Sequence, residues 1–293
     1  MRIKIAIVGL VRGYPQNKKL YESLIIRNNS IYKNIVNLRD NIIDVIIFHE
    51  GNISSDDQDY IKSHSYENIK FKNVSQYFIN NNDLELAGEN KFNLGYRQMC
   101  RFNMYHIWEE VKEYDYILRV DEDVEITKFD PYVFEYMESK NIKYMTGRFS
   151  KEIHKLSNET LVPFLKEFTN LNIKKTYDHK FPYTNLYSTS VKFWRSEENI
   201  HLLKKIALSD EQIVYRWGDI PVLGNLLNHN NEKIFLFPKL EYKHVSHDLI
   251  VKNNYLRNLT VNSKFNPISI RENMFIKLKI YFKKKLKNIN QPY

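Results

Sequence analysis

The sequence predicts an α/β fold with a mostly parallel central sheet, and three observations carry that prediction. Short apolar runs recur from Ile3 to Val120, each ended by a turn residue or a polar cluster. Stretches with apolar residues at helical spacing separate some of them. The chain has 293 residues and is 43% hydrophobic, enough to bury a core on both faces of such a sheet.

The run "IKIAIVGLV" is the first predicted strand, and its near-continuous apolar character suits a strand covered on both faces. It is too short to span a bilayer and lacks the small-residue pattern of a signal-peptide cleavage site. Gly13 and Pro15 mark a loop, after which "NKKLYESLIIRN" has a helical pattern. "IDVIIFHEG" is the second strand, closed by Gly51; "NIKFKNV" is the third and "YDYILRV" the fourth. Between the last two, Leu94 to Val111 is amphipathic, with Met99, Phe102, His106 and Trp108 along it. "GLVRG" after the first strand is not the G-x-G-x-x-G fingerprint, so a Rossmann dehydrogenase has no support.

Composition narrows the function classes. Aromatic residues reach 14%, with 21 Tyr and 17 Phe, which suits a ring-binding cleft and equally an aromatic-rich core; the core is the simpler reading. One cysteine, Cys100, excludes an intrachain disulfide and a cysteine zinc site, and with it a reducing, cytoplasmic setting is expected. The formal charge is +9, but Arg271 to Tyr293 holds seven basic residues against one Glu. Most of the excess sits in this tail, so the near-neutral body argues against nucleic acid as a partner. In the tail, Phe275, Leu278, Phe282, Leu286 and Ile289 recur at helical spacing among lysines. That pattern fits either a surface helix packed on the domain or docking on an anionic membrane surface, on the cytoplasmic face. The organisation expected is one domain over 1–270 and a basic amphipathic tail over 271–293.

The densest charge follows the fourth strand. In "YILRVDEDVEI", Asp121, Glu122, Asp123 and Glu125 fall within five positions. Like charges so close need water or a cation. A solvated turn is the plain reading; ligands gathering at the carboxyl ends of parallel strands moves the balance towards a site. If the backbone stays extended, Asp121 and Asp123 project to one side and Glu122 to the other. Further on, Arg216 and Asp219 in "YRWGD" would form an ion pair if helical, and His244 and His247 would be turn histidines unless something else recruits them.

Several segments agree with one another. "GYRQMCRF", "YILRVDEDVEI", "FWRSEE", "YRWGD" and "YKH" occur in the order and approximate spacing of the fungal α-1,2-mannosyltransferases of glycosyltransferase family fifteen, which the chain resembles from about Lys91 to His247. The resemblance implies a GT-A type fold, GDP-mannose as donor, Mn²⁺ (or Mg²⁺) as cofactor, a glycan or lipid-linked glycan acceptor, and transfer with retention, α-1,2 linkage favoured. The family's Glu-Pro-Asp becomes Asp121-Glu122-Asp123, so both outer acids are kept as metal ligands, and "YKH" makes His244 the histidine ligand, His247 being the alternative. The family's glutamate four residues past its tryptophan maps to Glu198, with Glu197 beside it; the role implied is nucleophile or stabiliser of a cationic centre, while an acidic first helical turn is the plain reading. Arg12, Arg97 and Arg101 are candidates for phosphate or nucleotide contact, each also readable as a surface-helix arginine, and Tyr96 and Asp219 for sugar or acceptor hydroxyls. The family's Golgi membrane anchor, its several cysteines and its Cys-His before Phe-Trp, here Val191-Lys192, are departures. The competing reading is a basic peripheral membrane or nucleic-acid-binding protein without catalysis.

Overall fold

Seven strands form the central sheet of the computed structural model, which describes residues 3–15, 17–38, 43–65, 68–78, 84–88, 92–151, 154–168, 180–244 and the backbone of 249–252. The expected tail over 271–293 and His247 lie outside the described residues. The strands are β1 (Ile5–Val11), β2 (Ile43–His49), β3 (Ile69–Asn73), β4 (Tyr116–Val120), β5 (Val124–Lys128), β6 (Tyr144–Thr146), β7 (Phe149–Lys151), β8 (Lys180–Pro182), β9 (Leu186–Ser190), β10 (Ile234–Leu236), β11 (Glu241–His244) and β12 (Leu249–Lys252). The large sheet runs β10-β6-β9-β4-β1-β2-β3. Its neighbours pair in parallel except at β9, which is antiparallel to both β4 and β6. The mostly parallel α/β sheet expected from the sequence is borne out.

Strand alternation explains the two cores. Ile5 and Ile7 face one layer with Leu118 and Val120, where the helix Glu22–Asn34 contributes Leu24 and Ile31. Ala6 and Val8 face the other with Ile117, Trp108, Trp194 and Trp217. Trp108 and Trp194 stack with ring centroids 5.4 Å apart, so all three tryptophans serve the core, as the simpler reading of the composition had it.

The amphipathic stretch forms one rod: an α-helix Leu94–Arg101, a π-turn Phe102–His106 and a last helical turn Ile107–Glu110. Asn93 caps it, its side chain accepting from Tyr96 N at 3.1 Å. A smaller antiparallel sheet, β12-β11-β5, stands beside the large one, and β7 pairs with β8. The direction of β9 decides where its flanking segments go. Leu186 is registered with Val120 and Ser190 with Tyr116, so residues 183–185 stand at the carboxyl end of β4 while everything from Val191 to Glu198 leaves from its amino end.

Candidate active site

The site begins beneath the acidic turn. Gly9 in β1 leaves a gap that a Cβ would fill, lying 2.9 Å from Arg27 Nη2 and 2.8 Å from Val120 O. Arg27 uses that gap: its Nη2 donates to Val8 O and its Nε to Val120 O, both at 3.1 Å. Burial lowers its guanidinium to about 10, opposed by the charges of Asp121 and Glu122. A buried cation thus ties the ends of β1 and β4 together below the carboxylates.

Residues 121–124 form a turn closed by Val124 N donating to Asp121 O at 3.2 Å, not the extended segment expected. Glu122 still points apart from its neighbours. Its Oε2 accepts from Arg12 N at 3.3 Å and its Oε1 from Tyr14 Oη at 3.5 Å, and burial raises its carboxyl. Asp121 Oδ1 accepts from Arg119 Nε at 3.1 Å, with Arg119 Nη2 at 3.0 Å. Arg119 Nη1 reaches Asp219 Oδ2 at 2.5 Å, both side chains being at most 7% exposed. Burial raises the Asp121 carboxyl; Arg119 opposes this, and Asp219 and Asp123 add to it.

Strand pairing brings the histidine in. β11 runs antiparallel to β5 with His244 opposite Val124, which sets the buried imidazole beside the acidic turn. His244 Nε2 lies 3.1 Å from Asp123 Oδ2. Two atoms bound at right angles to a divalent cation at about 2.1 Å are about 3 Å apart, so this spacing suits a shared cation; carboxylates suit Mn²⁺ or Mg²⁺, and the imidazole nitrogen tilts the choice towards Mn²⁺. Among the described residues, no three His, Cys, Asp or Glu side chains form a ready-made metal cluster; Arg119 holds Asp121 Oδ1, and Asp123 with His244 make the close pair.

A cleft of about 390 Å³ opens over these groups and is also lined by Leu10, Met99, Asn103 and the turn Tyr183–Asn185. It shares Arg12, Tyr96 and Glu122 with an adjoining hollow of about 560 Å³ that includes Glu50, Asn52 and Asn93. A larger hollow of about 830 Å³ lies at the amino end of β4, beside Lys112, Lys192 and Arg195, away from the acidic turn.

The structure therefore brings together Asp121, Asp123, His244, Asp219, Tyr96 and Arg12. It does not bring Glu198 there. Glu198 stands in the first turn of the helix Glu197–Ala207, 67% exposed at its side chain and 3.1 Å from His229 Nε2. Glu197 opens the same helix, so the acidic first turn is the reading that fits. Arg97 is corrected as well. Its donors go to the carbonyls of Phe92, Ala87, Ile213 and Val214 at 2.6–2.7 Å, leaving it a clamp on the main chain. Arg101 binds Gln212 Oε1 at 2.9 Å and Ser209 O at 3.4 Å, likewise inside the fold. Arg216 does not pair with Asp219: at φ 55° it lies in a turn, with its guanidinium 3.9 Å from the Phe92 ring centroid and Nη2 donating to Tyr96 Oη at 3.1 Å. Sequence reasoning missed Arg119, Arg27, Asn103 and the turn 183–185. For Arg119 a signal existed, a lone charge within the otherwise apolar strand "YILRV".

The fold is of the GT-A type found in glycosyltransferases. Core-mannan synthase A from Aspergillus fumigatus, in its Mn/GDP form, superposes with a TM-score of 0.68 at 18% identity, covering 83% of this chain and 75% of its own. The mannosyltransferase Ktr4p from S. cerevisiae gives 0.66 at 18% identity over 91% and 78%. By sequence, about half of the chain is similar to two fungal mannosyltransferases. It is 29% identical over 171 residues to glycolipid 2-alpha-mannosyltransferase 1 of Candida albicans, covering 51% of this chain and 39% of that protein. It is 28% identical over 172 residues to the probable mannosyltransferase KTR3 of Saccharomyces cerevisiae, covering 51% and 42%. The matched segment thus spans about two fifths of those relatives' length. No protein-family profile matches the chain.

Proposed function

We propose that the protein is a divalent-cation-dependent mannosyltransferase that takes mannose from GDP-mannose to a glycan hydroxyl, with retention and an α-1,2 linkage. The observation that carries this reading is the convergence of Asp121, Asp123 and His244 with the Arg119–Asp219 pair at the carboxyl end of β4, in a chain related to mannosyltransferases. Asp123 and His244, with Asp121, would hold the cation, which when bound offsets the charge that develops on a leaving diphosphate. Arg12, at the mouth shared by the two hollows, faces the space where a nucleotide diphosphate would extend. Tyr96, whose hydroxyl accepts from Arg216 Nη2, lines the same space.

With Glu198 remote, Asp219 is the cleft carboxylate outside the acidic turn. Its Oδ2 is held by Arg119 and its Oδ1 accepts from Ile220 N at 3.0 Å. A carboxylate so engaged is a poor nucleophile and a good fixed charge, which favours electrostatic support of a cationic anomeric centre over a covalent intermediate. The basic tail is proposed to dock on an anionic membrane surface, a reading supported by its sequence pattern alone. A screen of nucleotide sugars against α-mannoside acceptors, with the product anomer read by NMR, tests the function. Mannose transfer with an α product from GDP-mannose supports it; transfer from another donor, or none in the presence of Mn²⁺, refutes it.

A further inference from the structure

The cleft wall carries two asparagines that no account of the cation or the diphosphate uses. Asn103 is 1% exposed and Asn185 is 2% exposed, and both line the cleft with Arg119, Asp121 and Asp219. The Nδ2 of each is buried and has no hydrogen-bond partner among the described residues. Leaving a buried amide donor unmade costs about 1–3 kcal/mol, so such groups call for a reason. Their settings show that both are held in place. Asn103 stands in the π-turn of the long rod, and such turns are frequent at functional sites. Asn185 O accepts from Asp121 N at 2.9 Å and its Oδ1 from Tyr242 Oη at 3.4 Å, which fixes it to the acidic turn.

We propose that Asn103 and Asn185 are the hydroxyl-reading groups of a hexose subsite in the cleft that they line together with the Arg119–Asp219 pair. This rests on the nucleotide-sugar reading above and adds to it the residues that recognise the sugar. A carboxamide donates through Nδ2 and accepts through Oδ1; in Asn185 the Oδ1 is taken by Tyr242, which leaves its Nδ2 as the donor for a ring hydroxyl. A hexose displays neighbouring hydroxyls that each donate and accept, which matches two such groups better than it matches a phosphate. Asp219, held by Arg119, adds a fixed acceptor to the same lining.

The test is Asn103→Leu, which keeps the volume and removes the amide. Because the lost group has no protein partner, the ligand-free variant is expected to unfold at the same temperature as the parent or higher. GDP affinity in Mn²⁺, measured by calorimetry, is expected to stay within about twofold, while kcat/KM for GDP-mannose falls about tenfold or more. A variant that melts well below the parent would show the amide to be satisfied within the fold, by a bound water for instance, and would overturn the inference. So would a variant that handles GDP-mannose as the parent does. If the parent itself binds GDP but not GDP-mannose, the subsite fails; if it binds neither, the nucleotide-sugar reading fails first and takes the subsite with it.

Discussion

Removing the charge of Arg119 should cost both stability and function, and the structure sets the scale. The Arg119–Asp219 contact is buried, with side chains 6% and 7% exposed, and the same guanidinium also holds Asp121 Oδ1. In Arg119→Gln two carboxylates lose their counter-charge, one of them in a site with little water. Breaking a buried pair from one side costs about 3–5 kcal/mol, because an uncompensated charge stays behind. At about 2–4 °C per kcal/mol for a chain of this size, the ligand-free melting temperature should fall by roughly 6–20 °C. Circular dichroism melts of Arg119→Gln, Asp219→Asn and the double variant measure this directly. The double variant should recover part of the loss, since it removes the stranded Asp219 charge, giving a coupling of about 0.5–3 kcal/mol. Arg119→Lys should not restore the parent, because one ammonium cannot reproduce a fork that engages two carboxylates. A drop in Arg119→Gln of less than about 2 °C, or strictly additive single variants, would refute the reasoning.

Other consequences are as concrete. Glu198→Gln should keep turnover within about twofold of the parent, because the side chain is exposed and remote from the cleft; a large loss of kcat in a steady-state assay would show that β9 runs otherwise than described. Gly9→Ala places a methyl against Arg27 Nη2 and Val120 O, and should destabilise by about 1–3 kcal/mol in denaturant titration. His106, stacked on Tyr77, has its pKa lowered to about 4 by burial and by Arg101. Its folded form resists protonation, so its contribution to stability is present above the unfolded value near 6.5 and is lost as pH falls from there through about 4. His106→Gln should therefore flatten that part of the acid limb in a pH series of melts, and an unchanged limb would show that other groups control it.

How much of this could be read in the sequence depended on whether the feature was local. β1, β2 and β4 are dense apolar runs bounded by polar residues and β3 alternates apolar residues with lysines, so each was legible by itself. The acidic turn was legible too, and the strand-end rule placed it correctly. His244 was legible as part of "YKH", but the cause of its position is the pairing of β11 with β5 more than 100 residues earlier. What failed was direction. "LYSTS" is a buried strand with modest apolar character, and nothing in its residues states that it runs against β4. That single fact carries Glu198 to the far end of the sheet and brings Tyr183, Thr184 and Asn185 to the cleft. Arg97 and Arg101 failed for a related reason, since a helical pattern shows which face is apolar but not which main-chain carbonyls wait for a buried arginine.

The claim on which the rest depends is that Asp123 and His244 hold a divalent cation against a nucleoside diphosphate in this cleft. Isothermal titration of GDP into the protein, in Mn²⁺ and in EDTA, tests it most directly when repeated with His244→Ala. The account predicts that Mn²⁺ tightens GDP binding in the parent by about tenfold or more and that the variant, still folded, loses this dependence. Equal GDP affinity with and without Mn²⁺ in the parent, or an undiminished Mn²⁺ effect in His244→Ala, would contradict it.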